Sequence, residues 1–252
     1  MFCGATDQKL SKEHLWPRWL RNHVDGGVGP PQEHYRAQRT ADGSVVLDER
    51  WTAIPFERQV KGPCRPCNNG WMSDVENSVM PSLIPMLANE ETTLDCRAQD
   101  SLARWATLRM MIAQLGHPAE RRRAIPPERY ARFYSGLAMP PGAQVWLGRH
   151  DGSGGWPTEY QYRELFVSAL GQPEPSSPNA YVAAFSIGYA AFVYWGSELS
   201  SLFLHDLGRL APYVVPVWPV RPPSVRWPPQ ELVRKDGLAS IVEFLSNPVP
   251  RL

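Results

Sequence analysis

Apolar residues recur at Leu102, Trp105, Leu108, Met111, Ile112 and Leu115. That spacing predicts an amphipathic helix over SLARWATLRMMIAQLGH, closed by Gly116. IPPERYARFYSG predicts a second helix, entered through Pro and left at Gly. The period then changes. AQVWLGRH, EYQYRELFVSAL, AYVAAFSI and YAAFVYWG nearly alternate and are rich in aromatics, which predicts strands of one sheet. VWPVRPPSVRWPPQEL is Pro-rich and extended, and QELVRKDGLASIVEFL predicts one or two closing helical turns. The long helix is expected to bury its stripe against strands near 144–149 and 181–195.

The pattern before residue 89 is less regular. SKEHLWPRWLRNH predicts a cap-like Ser11 followed by a short helical turn. VDGGVGPPQE is a loop, and two extended pieces, near 33–39 and 44–52, flank the turn TADGS. Residues 54–62 predict a strand. Trp71, Val75 and Val79 recur at helical spacing, so a helix runs from about Trp71 to Leu87, with Pro81 and Pro85 limiting its regularity. Residues 89–99 form a connection. The fold class is α+β, divided into 1–88 and 98–252, the latter a mixed helix and antiparallel-sheet region.

Composition narrows this little. The chain has 252 residues, 43% hydrophobic and 20% charged, with a net charge of +1 that neither demands nor excludes nucleic acid. No apolar run is long enough to span a membrane, and MFCGATDQKL has no signal core. A cytoplasmic protein without membrane partners is expected. The basic residues are mostly Arg, which suits phosphate recognition and is equally the mark of a GC-rich genome.

Candidate chemistry centres on CRPCNNGW at 64–71. Four cysteines in a chain of this length are no disulfide scaffold, and CxxC points to metal or redox work. Cys3-Gly4 adds a third thiolate to Cys64 and Cys67 for a tetrahedral Zn²⁺. In a CxxC knuckle the fourth ligand would precede Met1; Cys96, His23 and the Met1 amine are the alternatives within the sequence. Between the cysteines lies the pair Glu13-His14.

The pieces CG at 3–4, KEHLWPRWL at 12–20 and CRPCNNGWMSDVE at 64–76 resemble the HNH endonuclease family, in particular a bacterial and phage-type group with a zinc-knuckle brace. The resemblance implies an N-terminal ββα-metal motif. It makes His14 the general base that takes a proton from water, and Glu13 and Asn68 ligands of a catalytic Mg²⁺ or Mn²⁺, with Asn69 as the alternative to Asn68. Gln59 falls where the family has a middle Asn that pins the loop carrying the base, so it departs from the pattern. Oxygen donors suit a hard divalent ion, and a neutral imidazole suits proton abstraction near pH 7. The zinc would be structural.

Lys12, Arg18, Arg21 and Arg65 flank these residues and would grip DNA phosphates or form a solvated face. Asn68 and Asn69 would serve as ligands or cap the following helix. Trp16, Trp19 and Trp71 are expected in the core. His23, His34, His117, His150 and His205 show no partner spacing, and the arginines at 121–123 read as a loop. Three functions stay open: an endonuclease cutting DNA, a degenerate HNH module that binds nucleic acid or a protein without cutting, and a ββα-metal enzyme acting on another substrate. Oligomeric state is undetermined by the sequence.

Overall fold

The computed structural model describes residues 2–5, 7–25, 31–39, 45–54, 56–116, 125–136, 138–152, 158–168, 172–173, 175–199, 207–219, 222–234 and 236–246; for 32–39, 45–51 and 53 it describes the backbone alone. The TADGS turn, Met1, His117, the arginines at 121–123, His205 and the side chain of His34 lie outside these.

The protein is mixed α and β. Strand β1 (Leu10–His14) pairs antiparallel with β4 (Gln59–Cys64), so that His14 faces Gln59 and Glu13 faces Val60. The register slips between Leu10 and Lys12, opposite Gly62-Pro63, where Pro63 has no N–H to offer. Ser11 therefore lies in a strand. Its hydroxyl donates to the Pro63 carbonyl at 3.0 Å instead of capping a helix, and helical backbone begins only at Arg18, as a single tight turn to Asn22. Between the two strands runs the hairpin β2 (Gln32–Arg39) and β3 (Val45–Ala53).

Helical backbone follows β4 at once. A turn α1 (Arg65–Cys67) leads through a wide turn at Asn68–Met72 into α2 (Ser73–Leu87). Gly70, at φ −104° and ψ −115°, breaks the helix between them. Val75, Val79, Leu83 and Met86 form the buried stripe of α2, while Pro81 and Pro85 are carried inside it. The predicted helix thus starts earlier, and neither asparagine caps it, since no side chain closes the start of α1 or α2.

Strand β5 (Thr92–Asp95) occupies the expected connection and pairs with β11 (Ser224–Trp227). Helix α3 runs from Cys96 to Leu115, starting five residues before the predicted Ser101. The reason is Asp95, whose carboxylate accepts from the Ala98 N–H at 2.7 Å and satisfies an N-terminal donor. Helix α4 (Pro127–Gly136) matches the Pro-to-Gly reading.

The main sheet contains β6 (Gln144–His150), β7 (Thr158–Leu165), β8 (Ala180–Ile187), β9 (Ala190–Ser197) and β10 (Val214–Trp218) in the order β10-β6-β9-β8-β7, all antiparallel; β12 (Leu232–Val233) joins β6 in parallel. Side chains alternate between its faces. Tyr181, Ala183, Phe185, Phe192 and Tyr194 meet the large core, while Val182, Ala184, Val193 and Trp195 meet α5 (Gly237–Ser246). That helix is longer than the one or two turns predicted, because Leu238, Ile241, Val242 and Leu245 cover this second face.

On the first face lies α3. Trp105 packs against Phe185 and Phe192, with ring centres 6.2 and 5.3 Å apart, and Leu102, Leu108, Met111 and Ile112 are fully buried. The same core takes in Phe2, Trp16, Leu20, Val60 and Cys67 from the first eighty-eight residues. Gly62 is one reason the β1–β4 ribbon lies flush on α3: a Cβ there would overlap the Leu115 side chain.

A candidate metal centre and an adjoining polar groove

Two features adjoin the β1–β4 ribbon. The first is a thiol cluster. Cys3 enters from the N-terminus; Cys64 ends β4, and Cys67 ends the helical turn that follows. Their sulfurs all lie within 4.8 Å of one another, with Cys3 and Cys64 at 3.5 Å. A tetrahedral zinc with Zn–S near 2.3 Å would hold thiolates about 3.8 Å apart. The three cysteines therefore fit a metal ion. Burial pushes the Cys67 thiol up to about 11, while the Ala5 backbone N–H draws Cys3 down. A metal removes the cost at Cys67, since it binds the thiolate. Cys96 is not the fourth ligand: it is exposed, with its sulfur against the Pro222 and Pro223 carbonyls at 4.0 and 3.8 Å. His23 stacks edge-on with Trp19 and is outside the cluster.

The second feature is a groove of about 460 Å³ lined by Glu13, His14, Pro17, Arg18, Trp19, Asn68, Asn69, Ser73 and Glu76. The strand end supplies the first pair, the wide turn after Cys67 supplies the asparagines, and the first turn of α2 supplies Ser73 and Glu76. Lys12 and Arg65 do not line it. Asn68 reaches back toward the ribbon, its Nδ2 lying 3.5 Å from both the Ser11 hydroxyl and the Lys12 carbonyl.

Glu13 is buried, and its carboxylate meets Arg109 Nη1 at 3.2 Å. Arg109 Nη2 lies 3.2 Å from Glu76. One guanidinium thus faces two carboxylates, and when both are ionised one negative charge is left over toward the groove. Burial pushes the Glu76 carboxyl upward, Arg109 opposes that, and Glu13 adds to it. Both carboxylates are thus engaged by Arg109 from beneath, and Asn68 lines the same groove.

At the same ribbon end, His14 Nε2 lies 2.9 Å from Gln59 Nε2 and 3.5 Å from Glu57 Oε2. Glu57 Oε1 accepts from Arg18 at 2.8 Å and also meets Arg21 at 3.4 Å. Arg18 holds the Glu57 carboxyl below the usual carboxylate range. Trp16 is a core residue as expected, packed on Phe185; Trp71, among Phe2, Phe133 and Tyr134, and Trp19, which lines the groove, are only partly buried at the edge of that core.

Of the residues expected at the site, Glu13, His14, Asn68 and Asn69 line the groove, while Gln59 does not line it and touches only the His14 ring. Sequence reasoning missed Arg109, Glu76 and Glu57. A signal existed for Arg109, a charge four residues after Trp105 and so on the buried face of the helix. Among the described residues no helix is long and apolar enough to cross a membrane. The chain matches no family model, no curated protein and no solved structure.

Proposed function

We propose that this protein is a metal-dependent endonuclease of the HNH type that hydrolyses a DNA phosphodiester bond. The observation that carries this reading is the convergence of Glu13, His14 and Asn68 on one groove beside a three-thiol cluster. The cysteines hold a structural zinc, which ties the N-terminus to the β4–α1 junction and performs no chemistry. Glu13 and Asn68, with Glu76 beside them, hold Mg²⁺ or Mn²⁺. That ion, when bound, stabilises charge on the phosphate and the leaving oxygen. His14 takes the proton of the attacking water. Gln59 holds the imaginable swing of the His14 ring in check by its contact at 2.9 Å. Arg18, more than half exposed along its side chain, supplies a cation for the DNA backbone.

The test is nicking of supercoiled plasmid with Mg²⁺ or Mn²⁺ by the zinc-loaded chain and by His14→Ala. Cleavage by the parent, reduced about 10² to 10⁴-fold in the variant, supports the reading. Equal rates in both overturn it. A second reading has its own support: Glu13 is already committed to Arg109, as in a module that binds nucleic acid without cutting. In that case the parent binds DNA with affinity that falls with salt and yields no nicked product.

A further inference from the structure

We infer that Glu57 is a positioning residue for His14, fixing the imidazole as the Nε2–H tautomer so that Nδ1 keeps the lone pair that accepts a proton. This rests on the reading of His14 as the general base.

Two neighbours approach the same ring nitrogen with opposite preferences. Gln59, placed with its amide nitrogen 2.9 Å from His14 Nε2, would donate to it and leave the proton on Nδ1. The carboxylate of Glu57, with Oε2 3.5 Å from that nitrogen, can only attract a proton there. The amide is ambivalent, because a half-turn exchanges its nitrogen for its oxygen at little steric cost. The carboxylate cannot change sides. Turning the Gln59 amide lets both groups accept from Nε2–H, whereas the Nδ1–H form sets a lone pair against a carboxylate. Glu57 therefore decides the tautomer, and Gln59 follows.

The carboxylate is well placed for this. Its second oxygen is anchored by Arg18, whose Nη2 and Nε lie at 2.8 and 3.2 Å, and by Arg21 at 3.4 Å. These cations keep Glu57 ionised and aim Oε2 at the ring. Glu57 immediately precedes the Arg58 carbonyl that accepts from Leu15 N–H at 2.9 Å, so its backbone is tied to the segment carrying His14. Such an arrangement, an imidazole held at one ring nitrogen by a carboxylate, leaves the other nitrogen in one defined protonation form.

The experiment is ¹H–¹⁵N long-range correlation of the histidine rings in the full, zinc-loaded chain, with His14→Gln to assign the signal. The parent should show His14 as Nε2–H with an unprotonated Nδ1. Glu57→Gln should show a mixture or the opposite tautomer, and Glu57→Asp, which keeps the charge, should stay closer to the parent. On DNA, Glu57→Gln should lower kcat about ten- to a hundredfold, part of what a positioned base supplies. KM should not rise, because the change frees Arg18 for phosphate. A parent carrying Nδ1–H, or an Nε2–H signal unchanged in Glu57→Gln, overturns the inference. The spectra decide it without any cleavage, so a protein with the expected tautomer that never nicks DNA refutes the nuclease reading and leaves the role of Glu57 standing.

Discussion

Replacing Arg109 by Met probes the buried ion pairs behind the groove most directly. Met has a similar reach and no charge. The guanidinium is fully buried, the Glu13 and Glu76 side chains retain only 8% and 19% exposure, and both ion pairs close at 3.2 Å. At an effective dielectric of about 20, a pair at that distance attracts by about 5 kcal/mol before desolvation. Desolvation of the three groups and repulsion between the carboxylates cancel much of that. Removing one partner from a buried pair leaves a net loss of about 3–5 kcal/mol, which is the drop in unfolding free energy expected for Arg109→Met in urea titrations near pH 8. The loss should depend on pH in a definite direction. Burial already raises the Glu76 carboxyl, and Arg109 is the group that lowers it. A carboxyl raised on folding destabilises the fold above its folded pKa, and the penalty fades as pH falls toward its unfolded value. The variant should therefore lose less at about pH 5.5 than at about pH 8. Adding Glu76→Gln to Arg109→Met should recover part of the deficit, because one uncompensated charge is gone. A loss below about 1 kcal/mol at pH 8, or one that does not shrink on acidification, would refute the idea that Arg109 neutralises these carboxylates.

Metal analysis of the purified chain should find about one zinc. Stripping it should remove a large share of stability, of the order of 10 kcal/mol of folding free energy at most, and Cys64→Ser should reproduce the effect in thermal melts. Asn68→Ala should raise the Mg²⁺ or Mn²⁺ concentration needed for cleavage while leaving the unfolding midpoint near that of the parent, since its side chain caps no helix; an unchanged metal dependence would remove Asn68 from the ligand set. Asp95→Ala should cost about 1 kcal/mol in chemical denaturation through loss of the cap on α3.

Much of the architecture was legible because it obeys a short period. The stripe from Leu102 to Leu115 lies on α3, and the alternating segments from 144 to 197 became strands of the main sheet, whose second face under α5 was not foreseen. The cysteine cluster was legible for another reason, in that Cys3, Cys64 and Cys67 are metal-ligating types by themselves and do come together. What stayed hidden depends on contacts distant in sequence. The pairing of β5 with β11 joins segments more than a hundred positions apart, and nothing in TTLD announces a partner in SVRW. Ser11 read as a cap because its type and the following pattern suit one; only the bond to Pro63 across the ribbon shows that it serves a strand. Glu57 has no spacing relation to His14, and a hairpin must fold back before they meet. Asp95, by contrast, was readable: an Asp two residues ahead of Arg-Ala is an ordinary helix start, and attention to the Leu102 stripe alone placed the boundary too late.

The way the first eighty-eight residues lean on α3 and α4 has a consequence for inheritance. Phe2 sits edge-on between Trp71 and Tyr130, with ring centres 5.3 and 5.2 Å away, and Arg109 reaches from α3 to the carboxylates on β1 and α2. A recombination event that copied only residues 1–88 into another gene would import the Glu13 and Glu76 carboxylates without their counter-ion and a ribbon without the helix on which Gly62 rests. The motif residues would arrive intact and the pocket would not. Substitutions on the inner face of α3 are thus bound to the chemistry of a segment encoded well upstream, and the two must drift together: a charge gained or lost at position 109 calls for an answering change at 13 or 76.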